Sequence, residues 1–288
     1  MHHRRQLWFL SNVLAAFLGV MTPQSAVAED QPFLTLDTTD IEPEHGHELE
    51  QDFTWASGKP LQSFNTVMGE SEFEYGWSDQ LQLVLAADYD WTRTRDHTVP
   101  GTSALAETRF DAVRGEAIYK ATDVYFDPLG LGFVVSPSLG ESVRSLETKI
   151  LIQKNFLNDR LRAVVNLGGQ FGAERSGESW SDASALNLDA GVSYNITWDW
   201  SASLEFNAEH DFAGLLLNGR GRPSDTTYFL GPSVQFIAKP WTALLGVQAQ
   251  LPWARDSTNA PGGLDHGFSA NAERFRIMFR VTWETLQL

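Results

Sequence analysis

The 288-residue chain contains no cysteine, which removes disulfide frameworks, thiolate metal sites and thiol catalysis together. Cations are scarce. The 21 Lys and Arg stand against 37 Asp and Glu, a formal charge of −16, the opposite of the basic patches that nucleic acid demands. Beyond residue 30 no apolar run approaches the roughly 20 residues that a membrane helix needs. What the chain does hold is 10 Trp, 18 Phe, 6 Tyr and 23 Gly, too aromatic a composition for a disordered acidic polymer.

Residues 1–28 have the layout of a secretory signal. Arg4 and Arg5 supply the positive start, and Leu7 to Met21 form an apolar run broken by Ser11, Asn12 and Gly19. Ala26-Val27-Ala28 offers the small residues that signal peptidase needs. The run is short for a span and acidic Glu29 and Asp30 follow it, which favours cleavage after Ala28 over an anchor helix. Cleavage removes two arginines and no acid, taking the charge from −16 to −18.

After Gly46 the sequence alternates with period two. Leu81, Leu83, Leu85, Ala87, Tyr89 and Trp91 interleave with Gln82, Val84, Ala86, Asp88 and Asp90. Phe275, Ile277, Phe279, Val281 and Trp283 interleave with Arg274, Arg276, Met278, Arg280 and Thr282. The pattern predicts about twelve strands, near 47–56, 62–76, 81–93, 107–120, 129–140, 143–156, 160–173, 184–197, 200–212, 226–238, 241–253 and 271–284, of the length a tilted membrane strand requires. Tight turns such as Trp77-Ser78-Asp79-Gln80 and Leu157-Asn158-Asp159 alternate with polar connections near 94–106, 174–183, 213–225 and 254–270. Two segments fit poorly: Gly69 and Ser71 dilute the apolar face of 62–76, and Asp111 falls on the apolar side of 107–120.

A soluble β-sandwich or closed soluble barrel would alternate as well. Aromatic placement separates the readings. Trp55, Tyr75, Trp77, Tyr89, Trp91, Tyr194, Trp198, Trp200, Tyr228, Trp241, Trp253 and Trp283 sit at or near strand ends, with Leu, Val, Ile and Ala between them. Rings with one polar edge favour the headgroup zone, and lipid offers no partner to an open sheet edge, so a spanning sheet must close. The predicted fold class is all-β: a transmembrane antiparallel up-and-down β-barrel of about twelve strands over 47–288.

The run Phe275-Arg276-Ile277-Met278-Phe279-Arg280-Val281-Thr282-Trp283 resembles the C-terminal strand signal read by the bacterial barrel-assembly machinery, although the chain continues to Leu288. Residues 70–91, Asp127-Pro128-Leu129-Gly130-Leu131 and Glu147-Thr148-Lys149-Ile150-Leu151-Ile152-Gln153-Lys154-Asn155 resemble uncharacterised, transporter-like outer-membrane barrels of proteobacteria. The likeness spans most of the mature chain and implies architecture far more than activity.

With the apolar parity outward, the interior is charged. Glu48, Glu50 and Asp52 come from the first strand, Glu70, Glu72 and Glu74 from the second, and Asp88 and Asp90 from the third. Arg274, Arg276 and Arg280 come from the last, which closure sets beside the first. Such charges are tolerable only when paired or hydrated, so the set reads as a structural ion-pair network or as a cation-favouring constriction. Residues 29–46, acidic and carrying Pro32 and Pro43, read as a flexible periplasmic lead-in in preference to an inward-folded plug.

Chemistry is harder to find. His210 and Asp211 lie near Ser181 and Ser184 of the neighbouring strand, the minimum for an outer-leaflet lipid hydrolase, but no Gly-x-Ser-x-Gly elbow accompanies them. Glu44-His45-Gly46-His47-Glu48 has metal-ligand character without a distant third ligand and reads as a polar lead-in. Gly219-Arg220-Gly221-Arg222-Pro223 lacks the strand-to-helix context of a phosphate loop. The sequence therefore predicts an outer-membrane protein without enzymatic activity, cofactor or metal. Its predicted partners are membrane lipid, the assembly machinery and small solutes, with a porin-like channel favoured over a sealed structural or surface-interaction barrel.

Overall fold

The computed structural model describes residues 31–59, 62–96, 103–176, 178–216, 224–254, 264–265, 267–269 and 271–284. The signal segment and the Gly219–Pro223 stretch lie outside the described residues. Twelve antiparallel strands form a closed barrel: β1 (His47–Ser57), β2 (Gln62–Ser78), β3 (Leu81–Asp96), β4 (Leu105–Thr122), β5 (Gly130–Gly140), β6 (Val143–Phe156), β7 (Leu161–Ser176), β8 (Ser179–Asn195), β9 (Trp200–Ala213), β10 (Asp225–Ala238), β11 (Trp241–Gln250) and β12 (Phe275–Glu284). Each pairs with the next in sequence. β12 returns to β1 through pairs such as Asp52↔Arg280 and Phe53↔Phe279. A small hairpin, Leu264–Asp265 against Phe268–Ser269, lies in the β11–β12 connection.

The polarity of this barrel is the reverse of a soluble core. Gln82, Gln153, Glu205 and Gln248 are no more than 2% exposed, whereas Leu85 is 59% and Leu245 51% exposed on the outer face. Burying amide and carboxylate groups while exposing leucine makes sense only where the outer solvent is hydrocarbon. The outer rings gather in two belts. Trp77, Tyr194, Trp198, Trp200, Trp241 and Trp283 lie toward the end with the short turns, and Trp241 stacks on Trp283 at 5.9 Å. Trp55, Trp91, Tyr228, Trp253 and Phe275 lie toward the other.

The two poorly fitting segments have local explanations. Asp111 is the extra residue of a β-bulge: Ala112 pairs with Asp88 and Phe110 with Tyr89, leaving Asp111 without a partner in the register. The bulge resets the parity, so Phe110 is outward and 59% exposed while Arg109 turns in to Asp90. Gly69 lies beneath the Tyr89 ring, where a Cβ would come within 2.2 Å of a ring carbon. Ser71 donates to Gln51 Oε1 at 2.6 Å and the Gln51 amide donates to the Tyr89 hydroxyl at 2.9 Å, so the polar atoms on this outer face satisfy one another.

Strands also overrun their expected ends. The polar stretch near 174–183 is no open loop, since β7 and β8 stay paired out to Ser176↔Ser179. Outside the apolar zone both faces are wet, so alternation fades while backbone pairing continues. The connections 79–80, 157–160, 196–199 and 239–240 are tight, and Leu157, Asn158 and Asp159 all adopt the left-handed backbone region in theirs.

Candidate functional site

Residues 31–46 decide what the lumen can do. Pro32, Phe33, Leu34, Leu36, Thr38, Thr39 and Ile41 are all buried. The Leu34 and Thr35 backbone N–H groups and the Thr35 hydroxyl donate to the Glu205 carboxylate of β9 at 2.8–3.2 Å. Thr39 donates to Gln153 of β6 at 2.8 Å, and the Glu42 N–H to Gln82 of β3 at 2.7 Å. Asp37 pairs with Lys149 of β6 at 3.0 Å, Asp40 with Arg162 of β7 at 3.8 Å, and the Phe33 carbonyl accepts from Arg280 of β12 at 3.3 Å. A segment that reaches opposite walls of a closed sheet at once lies inside it. The free lead-in suggested by composition is instead a folded plug.

Apolar residues seat the same segment. Ile41 clusters with Val84, Ile118, Val134 and Leu151; Phe33 and Leu36 with Val164; Leu34 with Leu244 and Met278. Gly191 of β8 and Gly246 of β11 make the room, because a Cβ there would stand 2.9 Å from Phe33 and 2.5 Å from Leu34. Burial alone would raise the Asp37 carboxyl, but the Lys149 ammonium outweighs it and holds the group below the usual carboxylate range.

The segment also doubles back. Glu42 sits at Gln82, beside the first tight turn, and Asp37 at Lys149, halfway along β6. Thr35 bonds to Asn207 at 2.9 Å. The chain then descends, with the Pro32 carbonyl accepting from Ser203 at 2.7 Å and the Gln31 carbonyl from Gln235 at 3.3 Å, both close to the turn end of their strands. Both limbs of the plug therefore leave the barrel at the short-turn end.

Among the charged residues expected at the lumen, Arg280 meets Asp52 at 2.7 Å and Glu50 at 2.9 Å across the closing seam. Arg276 and Arg274 do not join that pair. Arg276 bonds to Glu273 and lies over the Phe229 ring at 3.9 Å, while Arg274 donates to Gln250 at 2.8 Å and lies over Phe268. Glu70 and Glu72 share Arg114 of β4, which also reaches Glu116 at 3.2 Å. Asp90 pairs with Arg109 at 3.2 Å, and Asp88 lies opposite Glu70 and Ala112 in the register. Glu74 accepts from the Gln82 amide. Glu48, Glu50 and Glu74 hold carboxylate oxygens within 4.8 Å of one another, the one set among the described residues with the donors for a cation, and Arg280 already stands against it.

Above the plug the lumen opens. A cavity of about 570 Å³ between β6–β10 is lined by Glu174, Asp182, Glu209, Asp211 and Asp225, with Arg144 as its cation. Below it a chamber of about 140 Å³ shares Glu209 and reaches Asn187, Asp189, Asn207, Arg276 and the plug's own Thr35. His210 lies edge-on to Tyr228 on the outer face, while the Ser184 and Ser181 hydroxyls donate to the Gly214 and Glu174 carbonyls. His45 Nδ1 lies 3.0 Å from the Tyr75 hydroxyl and His47 Nδ1 lies 3.2 Å from the His45 carbonyl.

A family model described as a family of unknown function (DUF6662) matches residues 25–274. The chain belongs to that family. A comparison with curated proteins gives no match. Among solved structures, this DUF6662 chain is similar to the COG4313 outer membrane channel from Pseudomonas putida F1, at TM-score 0.61 and 10% identity over 87% of this chain and 100% of that one. It is also similar to the NanC porin (TM-score 0.53, 9% identity, 83% and 100% covered) and to the KdgM porin (0.51, 10%, 83% and 99%). At such identities the likeness is one of fold.

Sequence reasoning missed four groups that organise the DUF6662 lumen: Arg114, Lys149, Arg162 and Glu205. All four occupy inward parity, so the alternation placed them; what it lacked was the plug, whose Asp37, Asp40 and backbone N–H groups are the partners of three of them.

Proposed function

We propose that this DUF6662 protein is a porin-like channel of a Gram-negative outer membrane, passing small solutes passively. It is exported through its signal segment, cleaved after Ala28 and inserted into lipid by the barrel-assembly machinery. The carrying observation is the closed barrel whose apolar outside encloses a charged vestibule of about 570 Å³. The chemistry asked of it is passage, with no bond broken and no cofactor required. The test is planar-bilayer recording of refolded protein across a range of salts. Discrete current steps are expected, and a barrel that stays silent even with its plug unseated defeats the proposal.

A second reading rests on the plug itself. A lumen filled by residues 31–46 and braced by Arg280, Arg114 and Lys149 suits a sealed barrel whose loops serve as an interaction surface. It predicts silence from the unaltered chain at every salt and current only when the plug is forced out by mutation, so the same recording separates the two.

A further inference from the structure

The plug enters and leaves by one end. Residues 42 and 31 both lie beside the tight turns, while Thr35 reaches furthest, to Asn207 at the floor of the chamber. A segment threaded through the barrel could not leave without unfolding; a loop inserted from one side can be drawn out whole.

Its seating is suited to that. The contacts of residues 31–44 are three small apolar clusters plus separate polar bonds to strand side chains, while His45 and Gly46 bond through the backbone to Gly76 of β2 and anchor the loop where β1 begins. The wall strands are bonded to one another and close without residues 31–44. Drawing the loop out about that anchor therefore breaks no pairing between wall strands. It would expose Glu205, whose carboxylate accepts from Leu34, Thr35 and Ser233 and is 1% exposed, to water that can replace those donors.

We propose that residues 31–44 form a withdrawable gate: seated, the loop closes the floor of the acidic vestibule, and withdrawn toward the short-turn end it opens the path. The inference rests on the channel reading and adds to it the element that regulates passage. A population shift between two packings of one loop is all it requires.

The chain has no cysteine, so the gate can be locked specifically. In the full mature chain, Thr35→Cys with Asn207→Cys joins two side chains now in hydrogen-bond contact. A second full chain, Phe33→Glu with Leu36→Glu, puts charge into the holes at Gly191 and Val164 so that the loop cannot seat. Heat-modifiable migration confirms a folded barrel, thiol titration confirms the lock, and each chain is then recorded in planar bilayers. The oxidised pair should be silent, and reduction should raise the open fraction at least about tenfold. The unseated chain should conduct steadily. Equal, non-zero current from oxidised and reduced pairs would overturn the gate and leave the channel standing. A reduced pair as silent as the oxidised one, beside a conducting unseated chain, would make the loop a permanent seal and overturn withdrawal. Silence from the folded unseated chain would bring down the channel reading, and the gate with it.

Discussion

Arg280 ties the closing seam of the barrel to the plug. Its guanidinium pairs with Glu50 and Asp52 across the seam that closes the barrel, and it donates to the Phe33 carbonyl of the plug. Arg280→Ala would leave two carboxylates uncompensated at a site where Glu50 is 8% exposed. The expected loss is about 3–5 kcal/mol, read as a lowered urea midpoint of refolding in detergent. Arg276→Ala, whose partner Glu273 lies three residues away, should cost far less; equal losses would refute the seam pairs as the source of the difference. Asp37 gives a pH dependence with a definite sign. It faces Lys149, with Arg114 and Arg280 further off, and its carboxyl is held below the ordinary value of about 3.9. The pair's contribution is thus complete above that ordinary value and lost as pH falls through the lower folded one. Hydrogen exchange of residues 31–46, corrected for intrinsic rates, should stay protected down to about pH 4 and lose protection below it. Lys149→Met should move the onset upward, because burial is then opposed only by the more distant Arg114 and Arg280. Protection that is flat to pH 2 would sink the assignment.

At the scale of the strand, the bulge at Asp111 yields a deletion test. Removing Asp111 leaves Phe110 outward and Arg109 inward, and makes the β3–β4 register continuous, so the barrel should refold at undiminished yield. Removing Ala117, a regular residue of the same strand, turns residues 112–116 over even where the bulge takes up the shift beyond them. Arg114 and Glu116 then face lipid, and Glu70 and Glu72 lose their cation, so the yield of heat-modifiable protein should fall sharply. Similar yields from both would mean that the bulge does not set parity. This strand also shows what the sequence makes legible. Alternation located all twelve strands because lipid on one side and water on the other enforce it residue by residue. It failed at Asp111, where one inserted residue shifts the phase, and at 174–183, where neither face meets lipid. The plug, the less favoured of two readings of residues 29–46, was hard to see for a different reason. Pro32, Pro43 and a run of acids have the composition of a disordered tail, and what orders them is Glu205, Lys149 and Gln153, more than a hundred residues away. Composition reports what a segment can bury alone; it is silent about a cavity built by the rest of the chain.

For the whole molecule the governing quantity is the sign of the field along the path. The vestibule places five carboxylates against Arg144, and Arg144 is itself engaged over the Trp180 ring at 4.6 Å. Low-dielectric walls focus such a field, so cations should accumulate above the plug and anions be repelled. The unseated chain should therefore show a reversal potential of cation-selective sign under a salt gradient. Screening fixes the rest of the prediction. The Debye length falls from about 10 Å at 0.1 M salt to about 3 Å at 1 M, so selectivity should weaken across that range while conductance rises. Glu209→Gln with Asp211→Asn, at the throat where vestibule narrows to chamber, should reduce selectivity at low salt and leave it nearly unchanged at high salt. An anion-selective pore, or one whose selectivity ignores both salt and these substitutions, would place the conducting path somewhere other than the acidic vestibule. The closed barrel would stand, and the route assigned through it would not.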